Sequence, residues 1–326
     1  MTISEIAKLA GVSSAAVSRY LNDGSLSQEK RQRIEKVIRE TNYRRSEYAR
    51  TMRTKKSNRI GVLVPQIDSE AVPKILSGIS ERMDQKNYHV LLMNSNLSLE
   101  KEIGILETFE QSQVDGLIFV ASILTKRHEV ALAHMGVPVV ILGQKSDRYP
   151  CIYHDDEGAA CAMMTELLKS GCRHPAYIGV DRRDKAAGKS RYQGVCRALE
   201  TYGLHMDEIA YREATFSVQA GYQAMEQILA EEKRPDGVLC ATDMIAAGVL
   251  SCLSERKIAV PEKMKVAGMG HGAIADLLCP RLTTVHYHYH TSGREAADLL
   301  LDLMRKKKPR QEARMLEYEI IRQKTT

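Results

Sequence analysis

The sequence predicts an α/β protein in which a small head of three helices precedes a larger core built on parallel sheets. Two observations predict this division. Helical periodicity with a break at Gly11 dominates the start of the chain, whereas short apolar runs alternate with amphipathic helical stretches after residue 58. The charge changes at the same place, because residues 1–58 hold 13 Lys and Arg against 6 Asp and Glu, and residues 59–326 hold 34 against 35.

The head begins with a helix, a break and a second helix in "IAKLAGVSSAAVSRYLN". Gly11 suits the left-handed turn that ends the first helix, and Ser13 is a good N-cap for the second. A third helix is predicted after Ser27, which is also an N-cap residue. The apolar residues expected on the inner faces of the three helices are Ile6, Leu9 and Ala10, then Val17 and Leu21, then Ile34, Val37 and Ile38.

Three short helices with a tight turn between the first two describe a helix-turn-helix unit. In such a unit the N-terminal residues of the second helix meet base edges in the DNA major groove. The outward residues of that helix are expected to be Ser14, Ala15, Ser18 and Arg19. Periodicity alone fits equally well with an ordinary three-helix cap. The basic charge of the head favours DNA, since Lys and Arg neutralise backbone phosphates.

The core is too long for one small apolar interior and indicates two lobes. Runs such as "RIGVLVP", "VDGLIFVA", "VPVVILG" and "DGVLCAT" predict parallel strands buried on both faces and separated by helices. Two such sheets form a cleft at the C-terminal ends of their strands, where doubly wound folds bind small ligands. No apolar run reaches membrane-spanning length and no secretory signal precedes the head, so we expect a cytoplasmic protein without a membrane partner.

Other chemistry is weakly supported. In "HYHYH", an extended strand would place His286, His288 and His290 on one side, as in a zinc or copper site, but no carboxylate or cysteine of suitable spacing accompanies them. Asp155 and Asp156 in "YHDDE" offer paired carboxylates, for which a helix N-cap or a ligand hydrogen bond fits better than acid–base catalysis. There is no GxSxG elbow. We therefore expect no enzyme, metal or cofactor.

The seven cysteines lie between Cys151 and Cys279 without a CxxC pair, and we expect buried thiols rather than disulfides.

The segment "TISEIAKLAGVSSAAVSRYLN" resembles the DNA-binding head of the LacI-type (LacI/GalR) bacterial transcriptional repressors. The resemblance continues through "IGVLVP", "VDGLIF", "GVPVVILG", "CATDMIAAG" and "LTTV". It implies a helix-turn-helix domain over residues 1–45, a hinge helix over 46–58, and a two-lobed, doubly wound core like that of periplasmic binding proteins over 59–326. The implied N-lobe comprises residues of about 59–156 and 286–314, and the C-lobe about 157–285 and 315–326.

The resemblance also implies which residues meet DNA. Ser14 and Ala15 take the positions that select the operator sequence, and Arg19 takes that of a base contact, for which a guanine suits its paired donors. The hinge helix is expected to fold only on operator DNA, with Met52 at the position of a leucine that wedges into the minor groove. The full predicted DNA-binding set is Ser14, Ala15, Ser18, Arg19, Asn22, Tyr48, Arg50 and Met52.

In the cleft, the resemblance implies a sugar-like effector. Phe216 takes the position of a stacking ring and Tyr289 that of a second ring. Arg191 and Asp243 match the effector-binding arginine and a polar contact. The predicted set is completed by strand-end and loop residues, each of which could equally make a structural hydrogen bond, namely Asp68, Ser69, Asn94, Gln144, Asp155 and His271.

The sequence thus predicts a homodimeric repressor of a carbohydrate-utilisation operon that binds palindromic double-stranded operator DNA and is released by a sugar-like inducer. Two-fold operators need paired heads, and the chain ends without a heptad tail, which favours a dimer over a tetramer. "YHDD", "MGHG" and "LTTVHYHYHTSG" look most like the sucrose-responsive branch, with another glycoside as an alternative. A regulator that requires a co-repressor or a partner protein is a second hypothesis. A sugar-binding transport protein is a third, against which the basic head argues.

Overall fold

The computed structural model describes residues 1–43, 56–305 and 312–326. The chain forms two compact units, Met1–Ser57 and Asn58–Thr326. The predicted DNA-binding residues Tyr48, Arg50 and Met52 lie outside the described residues, as does most of the predicted hinge. None of the described helices is long and apolar enough to cross a membrane.

The first unit contains three helices, α1 (Ile3–Ala10), α2 (Ser14–Tyr20) and α3 (Gln28–Glu40). Thr2 and Glu5 begin α1 with a capping box, in which each side chain accepts the backbone N–H of the other residue. Gly11 ends the helix in the left-handed conformation at φ 62°. The predicted cap of α2 is confirmed, since the Ser13 hydroxyl accepts the N–H of Ala16 at 3.2 Å. Local sequence therefore sets the tight turn between α1 and α2.

The three helices pack around a small apolar core formed by Ile6, Ala7, Ala10, Ala16, Val17 and Ile34. The prediction that Leu9 faces this core is wrong, because Leu9 is 60% exposed. Ala7 is buried instead. The face of α1 that packs against the other two helices is therefore the one that carries the small side chain of Ala7. Ser27 occupies the N-cap position of α3 as predicted, but its side chain makes no capping hydrogen bond.

The second unit alternates strands and helices. Its first part contains β1 (Arg59–Val64), α4 (Ala71–Asp84), β2 (His89–Asn94), α5 (Leu99–Gln111), β3 (Gly116–Val120), α6 (Lys126–His134), β4 (Val139–Leu142) and β5 (Cys151–His154). Its second part contains α7 (Asp156–Lys169), β6 (Pro175–Gly179), a π-helical turn (Lys185–Ser190), α8 (Arg191–Thr201), a 3-10 turn (Met206–Glu208), β7 (Ala210–Glu213), α9 (Val218–Leu229), β8 (Gly237–Cys240), α10 (Asp243–Glu255), β9 (Lys265–Ala267) and α11 (Ala273–Leu277). Its last part contains β10 (Thr284–Tyr287), α12 (Tyr289–Arg305), β11 (Ala313–Leu316) and β12 (Tyr318–Ile321).

Six of these strands form one parallel sheet in the order β11, β5, β4, β3, β1, β2. Every residue of β3 and β4 is buried, as expected for a parallel sheet that is covered on both faces. One face packs against α4 and α12, and the other against α5 and α6. This sheet and its helices form the first lobe.

A second parallel sheet has the order β7, β6, β8, β9, and β10 and β12 form a separate antiparallel pair. The helices α7, α8, α9 and α10 contribute to the apolar core around the second sheet. The chain crosses between the lobes after β5, after β10 and after β11. The C-terminal ends of both sheets consequently lie beside one cavity.

Candidate functional site

The exposed face of α2 is the candidate DNA-contacting surface of the first unit. Ser14, Ala15 and Arg19 are exposed and Ser18 is partly exposed, while Val17 on the opposite side is fully buried. Asn22 is also exposed, and its side-chain amide donates to the carbonyl of Ser18 at 2.6 Å. The described part of the predicted DNA-binding set therefore lies together on and just after one helix.

This face has the shape and chemistry that base contact requires. The small side chains of Ser14 and Ala15 let the start of α2 approach base edges closely. Arg19 carries the planar fork of donors that matches O6 and N7 of guanine. The turn after α2 is fixed by Arg31, whose guanidinium donates to the carbonyl of Gly24 at 3.3 Å and lies 5.5 Å from the ring centre of Tyr20.

In the second unit, a cavity of about 470 Å³ lies where the strands of both sheets end. Its volume is within the roughly 300–1,000 Å³ range of small-molecule sites. Of the predicted effector-binding residues, the structure brings six to its wall: Asp68, Ser69, Arg191, Phe216, Asp243 and Tyr289. The cavity also has an apolar surface, to which Val72 and Met269 contribute.

Four predicted effector-binding residues do not line the cavity: Asn94, Gln144, Asp155 and His271. Asp155 caps α7 instead, because its carboxylate accepts the N–H of Gly158 at 2.9 Å, which confirms the N-cap interpretation of "YHDDE". The amide of Asn94 donates to the side-chain oxygen of Asn96 at 2.6 Å. The side chains of Asp155 and Asn94 are thus both engaged in local hydrogen bonds.

The other two residues are a buried glutamine and a partly buried histidine. The Gln144 side chain is buried, and neither of its amide atoms has a hydrogen-bond partner among the described residues. The Nδ1 atom of His271 lies 3.0 Å from Nδ1 of His286. These imidazoles stack edge to face, with ring centres 5.1 Å apart, outside the cavity wall.

Arg191 forms the main ion pair of the cavity. Its Nε donates to Asp156 at 2.7 Å, and the two side chains are only 8% and 6% exposed. The guanidinium also donates to the carbonyl of Ala241 and lies 5.1 Å from the ring centre of Tyr287. Because the pair is buried and hydrogen-bonded, each charge compensates the other's loss of water.

Two further carboxylates are buried at the wall. Asp243 accepts the N–H of Gly272 at 2.8 Å and the hydroxyl of Thr284 at 2.5 Å. Asp184 accepts the N–H groups of Ala186 and Ala187, both at 2.9 Å. Burial raises the pKa of each carboxyl to about 6. Both groups are therefore mostly ionised at neutral pH and present acceptors for ligand hydroxyls.

His154 adds a neutral imidazole to the cavity wall, and Tyr289 adds an aromatic ring. Their rings meet edge to face with centres 5.4 Å apart. Burial lowers the pKa of His154 to about 4, so its imidazole is uncharged at neutral pH. Together with Phe216, these side chains offer ring faces and neutral hydrogen-bonding groups, which suit a ligand with C–H and hydroxyl surfaces.

Helix α4 of the first lobe reaches the second lobe beside the cavity. The ammonium of Lys74 donates to the carbonyl of His271 at 2.8 Å. The carboxylate of Glu70 accepts the N–H of Ile274 at 3.3 Å. These two contacts join residues about 200 positions apart in the chain, so no local sequence pattern could indicate them.

The extended conformation considered for "HYHYH" does not continue through all three histidines. His286 lies in β10, but α12 begins at Tyr289, and His290 therefore lies on a helix with its Nε2 3.1 Å from Glu81. Across the described parts of the chain, no group of three or more His, Cys, Asp or Glu side chains is placed to hold a metal ion. The cysteines are free thiols as expected, but only four are buried and Cys279 is exposed.

Glu70, His154 and Asp184 line the cavity although the sequence did not indicate them as effector-binding residues. Asp156 also lines it, in agreement with one of the two interpretations of "YHDDE", a ligand hydrogen bond. His154 and Asp156 flank Asp155 in "YHDDE", where a position at the end of a strand was the available signal. Asp184 precedes "KAAGK" in a loop without a recognisable pattern. Its position in the cavity wall depends on the π-helical turn that its carboxylate caps, which the sequence did not indicate.

An exposed helix-turn-helix surface and a ligand-sized cavity between two parallel-sheet lobes define a ligand-responsive DNA-binding regulator. The family model of bacterial regulatory proteins of the lacI family matches residues 2–46, and that of a periplasmic binding protein-like domain matches residues 164–326. The sucrose operon repressor of Staphylococcus xylosus is 34% identical over 302 residues, which cover 91% of this chain and 92% of that protein. This chain belongs to the lacI family of bacterial regulatory proteins.

Further similarities agree with this assignment. Catabolite control protein A of Priestia megaterium is 28% identical over 309 residues, covering 94% of this chain and 93% of that protein. The solved lac repressor dimer bound to operator and the anti-inducer ONPF has a TM-score of 0.87 at 25% identity, covering 100% of this chain and 98% of that one. The predictions of the α/β fold, the family and a DNA-binding transcriptional repressor are confirmed. Two of these relatives are repressors, the sucrose operon repressor and the lac repressor.

Proposed function

We propose that this chain represses a carbohydrate-utilisation operon in the cytoplasm and is released from its operator by a small sugar. The observation that carries the proposal is that one chain combines an exposed α2 face with a cavity whose wall comes from both lobes. The head corresponds to residues 1–45, the hinge to 46–58 and the effector-binding core to 59–326.

The DNA partner is a palindromic duplex bound by a homodimer. Each head places α2 in the major groove, where Ser14, Ala15 and Arg19 contact bases. One head offers few base contacts, so a two-fold operator with paired heads supplies the remaining affinity. The similarity to a lac repressor that was solved as a dimer on its operator supports this arrangement.

The effector binds in the cavity through Asp68, Ser69, Arg191, Phe216, Asp243 and Tyr289. Carboxylates and the guanidinium hydrogen-bond its hydroxyls, while Phe216 and Tyr289 contact its ring faces. Because the wall comes from both lobes, a ligand that fits one arrangement of the lobes better shifts the protein toward it. The sucrose operon repressor among the relatives supports a sucrose-like sugar.

Fluorescence anisotropy with DNA from upstream of the chain's own gene tests the proposal. We expect specific binding without ligand and release by sucrose or another sugar of a panel. Tighter binding with the sugar would instead support the co-repressor hypothesis, and binding only after addition of cell extract would support a partner protein. Absence of sequence-specific binding under all three conditions would contradict the proposed function.

A further inference from the structure

The wall of the cavity carries far more negative than positive charge. Among the described residues that line it, the charged side chains are Asp68, Glu70, Asp156, Asp184, Arg191 and Asp243. Five of these are carboxylates. The single guanidinium already donates to Asp156 and to a backbone carbonyl. A negatively charged ligand would therefore face several like charges without an uncommitted cation to balance them.

The ends of helices do not supply the missing positive charge. Helix N-termini ordinarily attract anions, because their free N–H groups point outward. Here the chain places its own carboxylates at most of the ends that border the cavity. Asp184 accepts two N–H groups of the π-helical turn, and Asp155 caps α7 just before Asp156. Asp243 is the first residue of α10, which is capped by the hydroxyl of Thr242. Glu70 occupies the N-cap position of α4 without a capping hydrogen bond, so its charge rather than a cap lies at that end.

Two further helix starts border the cavity without a carboxylate, those of α9 and α12. The start of α9 is capped by the hydroxyl of Ser217, which accepts the N–H of Ala220 at 3.2 Å. Lys74 lies outside the cavity wall, and its ammonium donates to the carbonyl of His271. The remaining polar side chains of the described wall are neutral and include the imidazole of His154 and the hydroxyls of Thr242 and Ser292.

We propose that the cavity selects an uncharged sugar and excludes its phosphorylated form, so that the effector is a free glycoside rather than a sugar phosphate. This inference rests on the proposed function and narrows the class of sugar that acts at the same site. Neutral hydroxyls gain from carboxylate acceptors, whereas a phosphate dianion is repelled by them. We expect phosphorylation to weaken binding by at least about 30-fold.

Isothermal titration of the full-length protein tests this inference with two matched pairs, sucrose with sucrose 6-phosphate and glucose with glucose 6-phosphate. Where a pair shows binding, the neutral sugar should bind at least about 30-fold more tightly than its phosphorylated form. Asp68 is exposed, so Asp68→Asn removes one wall charge without disturbing the core. The penalty for phosphate is the dissociation constant of the phosphorylated sugar divided by that of its neutral partner, and this variant should reduce it by about threefold. The same substitution at Asp84, which is exposed at the far end of α4, is the control and should leave it unchanged.

The possible results separate this inference from the proposed function. Equal or tighter binding of a phosphorylated sugar would overturn the inference and leave the sugar-responsive repressor standing. An unchanged penalty in Asp68→Asn would show that shape rather than wall charge excludes phosphate, and would also overturn it. If neither pair and no sugar of the wider panel binds, the proposed sugar response fails and the inference fails with it.

Discussion

Arg19 and Arg191 show how burial decides what an arginine does in this chain. Arg19 lies on an exposed helix face, where its donors can meet a base. Arg191 is 8% exposed and bonded to Asp156, so it contributes to the structure as well as to the cavity wall. Removing Arg191 would leave a buried carboxylate unpaired, which typically costs about 3–5 kcal/mol. An Arg191 variant would therefore lose ligand response and stability together, and the two effects would be hard to separate.

Arg19→Ala tests base recognition without this complication. We expect specific operator binding to weaken by about 1–3 kcal/mol and preference to relax at one base pair in each half-site. Stability should not change, because the side chain is exposed. Anisotropy titrations against an operator and its single-base variants at fixed salt measure the effect. Uniformly weaker binding to all sequences, with a shallower salt dependence, would identify a phosphate contact instead.

Asp184→Asn should make stability less dependent on pH. Burial raises the pKa of Asp184 from 3.8 to about 6, so the folded chain holds this proton more tightly than the unfolded chain. The wild type therefore loses stability as the pH rises through this interval, by about 2–3 kcal/mol in total. An asparagine oxygen can still accept the N–H groups of Ala186 and Ala187. Urea unfolding should show the variant gaining on the wild type between about pH 4 and pH 6.5, and a constant difference would contradict the assignment.

At the scale of elements, close helix packing limits substitution at Gly78. A Cβ on Gly78 of α4 would collide with the backbone carbonyl of His290 in α12. Gly78→Ala should therefore lower the free energy of unfolding by about 1–3 kcal/mol through overpacking. Thermal or urea unfolding of the full chain measures this change.

Gly104 provides the matched control for this prediction. It lies in the middle of α5, it is exposed, and no described atom outside its own stretch of helix lies within 4 Å of the position that a Cβ would take. Gly104→Ala should raise stability by about 0.5–1 kcal/mol, because alanine is the better helix former. Equal effects of the two substitutions would show that α4 and α12 can separate without loss.

Local patterns identified elements well where local chemistry decides them. Ser13 caps α2 and Asp155 caps α7, because each makes a hydrogen bond within three residues of itself. Apolar runs such as "VVIL" form buried parallel strands, because a parallel sheet that is covered by helices buries the side chains on both of its faces. Spacing failed where packing chooses between two faces, as at Leu9, or where a helix starts inside a pattern, as at His290.

The cavity wall was harder to predict because its residues come from many strand ends. Phe216 and Asp243 were found through the family resemblance and lie in the wall. Gln144 follows a strand in the same way, yet its buried side chain is not among those that line the cavity. The contacts of Glu70 and Lys74 depend on how the two lobes meet, which a single sequence does not reveal.

At the scale of the whole molecule, ligand and operator must act on one equilibrium. Phe216→Ala removes a wall ring without removing a charge or a residue of the head. We expect operator binding without sugar to be unchanged, while the sugar concentration needed for release rises about tenfold or more. Anisotropy titrations of the operator complex with sugar measure both quantities. Tyr202→Ala, at an exposed ring outside the cavity wall, is the control, and an equal shift in both variants would argue against ring stacking.

The predicted hinge should connect these two binding events. Met52 lies outside the described residues, and its role is the one implied by the family resemblance, an apolar wedge in the minor groove. Unstacking a base step costs a few kcal/mol and is recovered through contacts that bent DNA allows. We therefore expect Met52→Ala to weaken specific operator binding strongly, while non-specific DNA binding and sugar affinity change little, because methionine carries no charge.

Lys56→Ala provides the comparison for this last prediction, since it removes a charge from the same segment. A phosphate contact at Lys56 would lower affinity for all sequences and reduce the salt dependence, whereas the wedge acts only on the operator. Met52→Ala should therefore have the larger effect on specific binding and the smaller effect on the salt slope. Hydrogen exchange should show the amides of residues 46–53 becoming protected on operator DNA. Protection already present without DNA, or normal operator binding by Met52→Ala, would reduce the hinge to a passive linker.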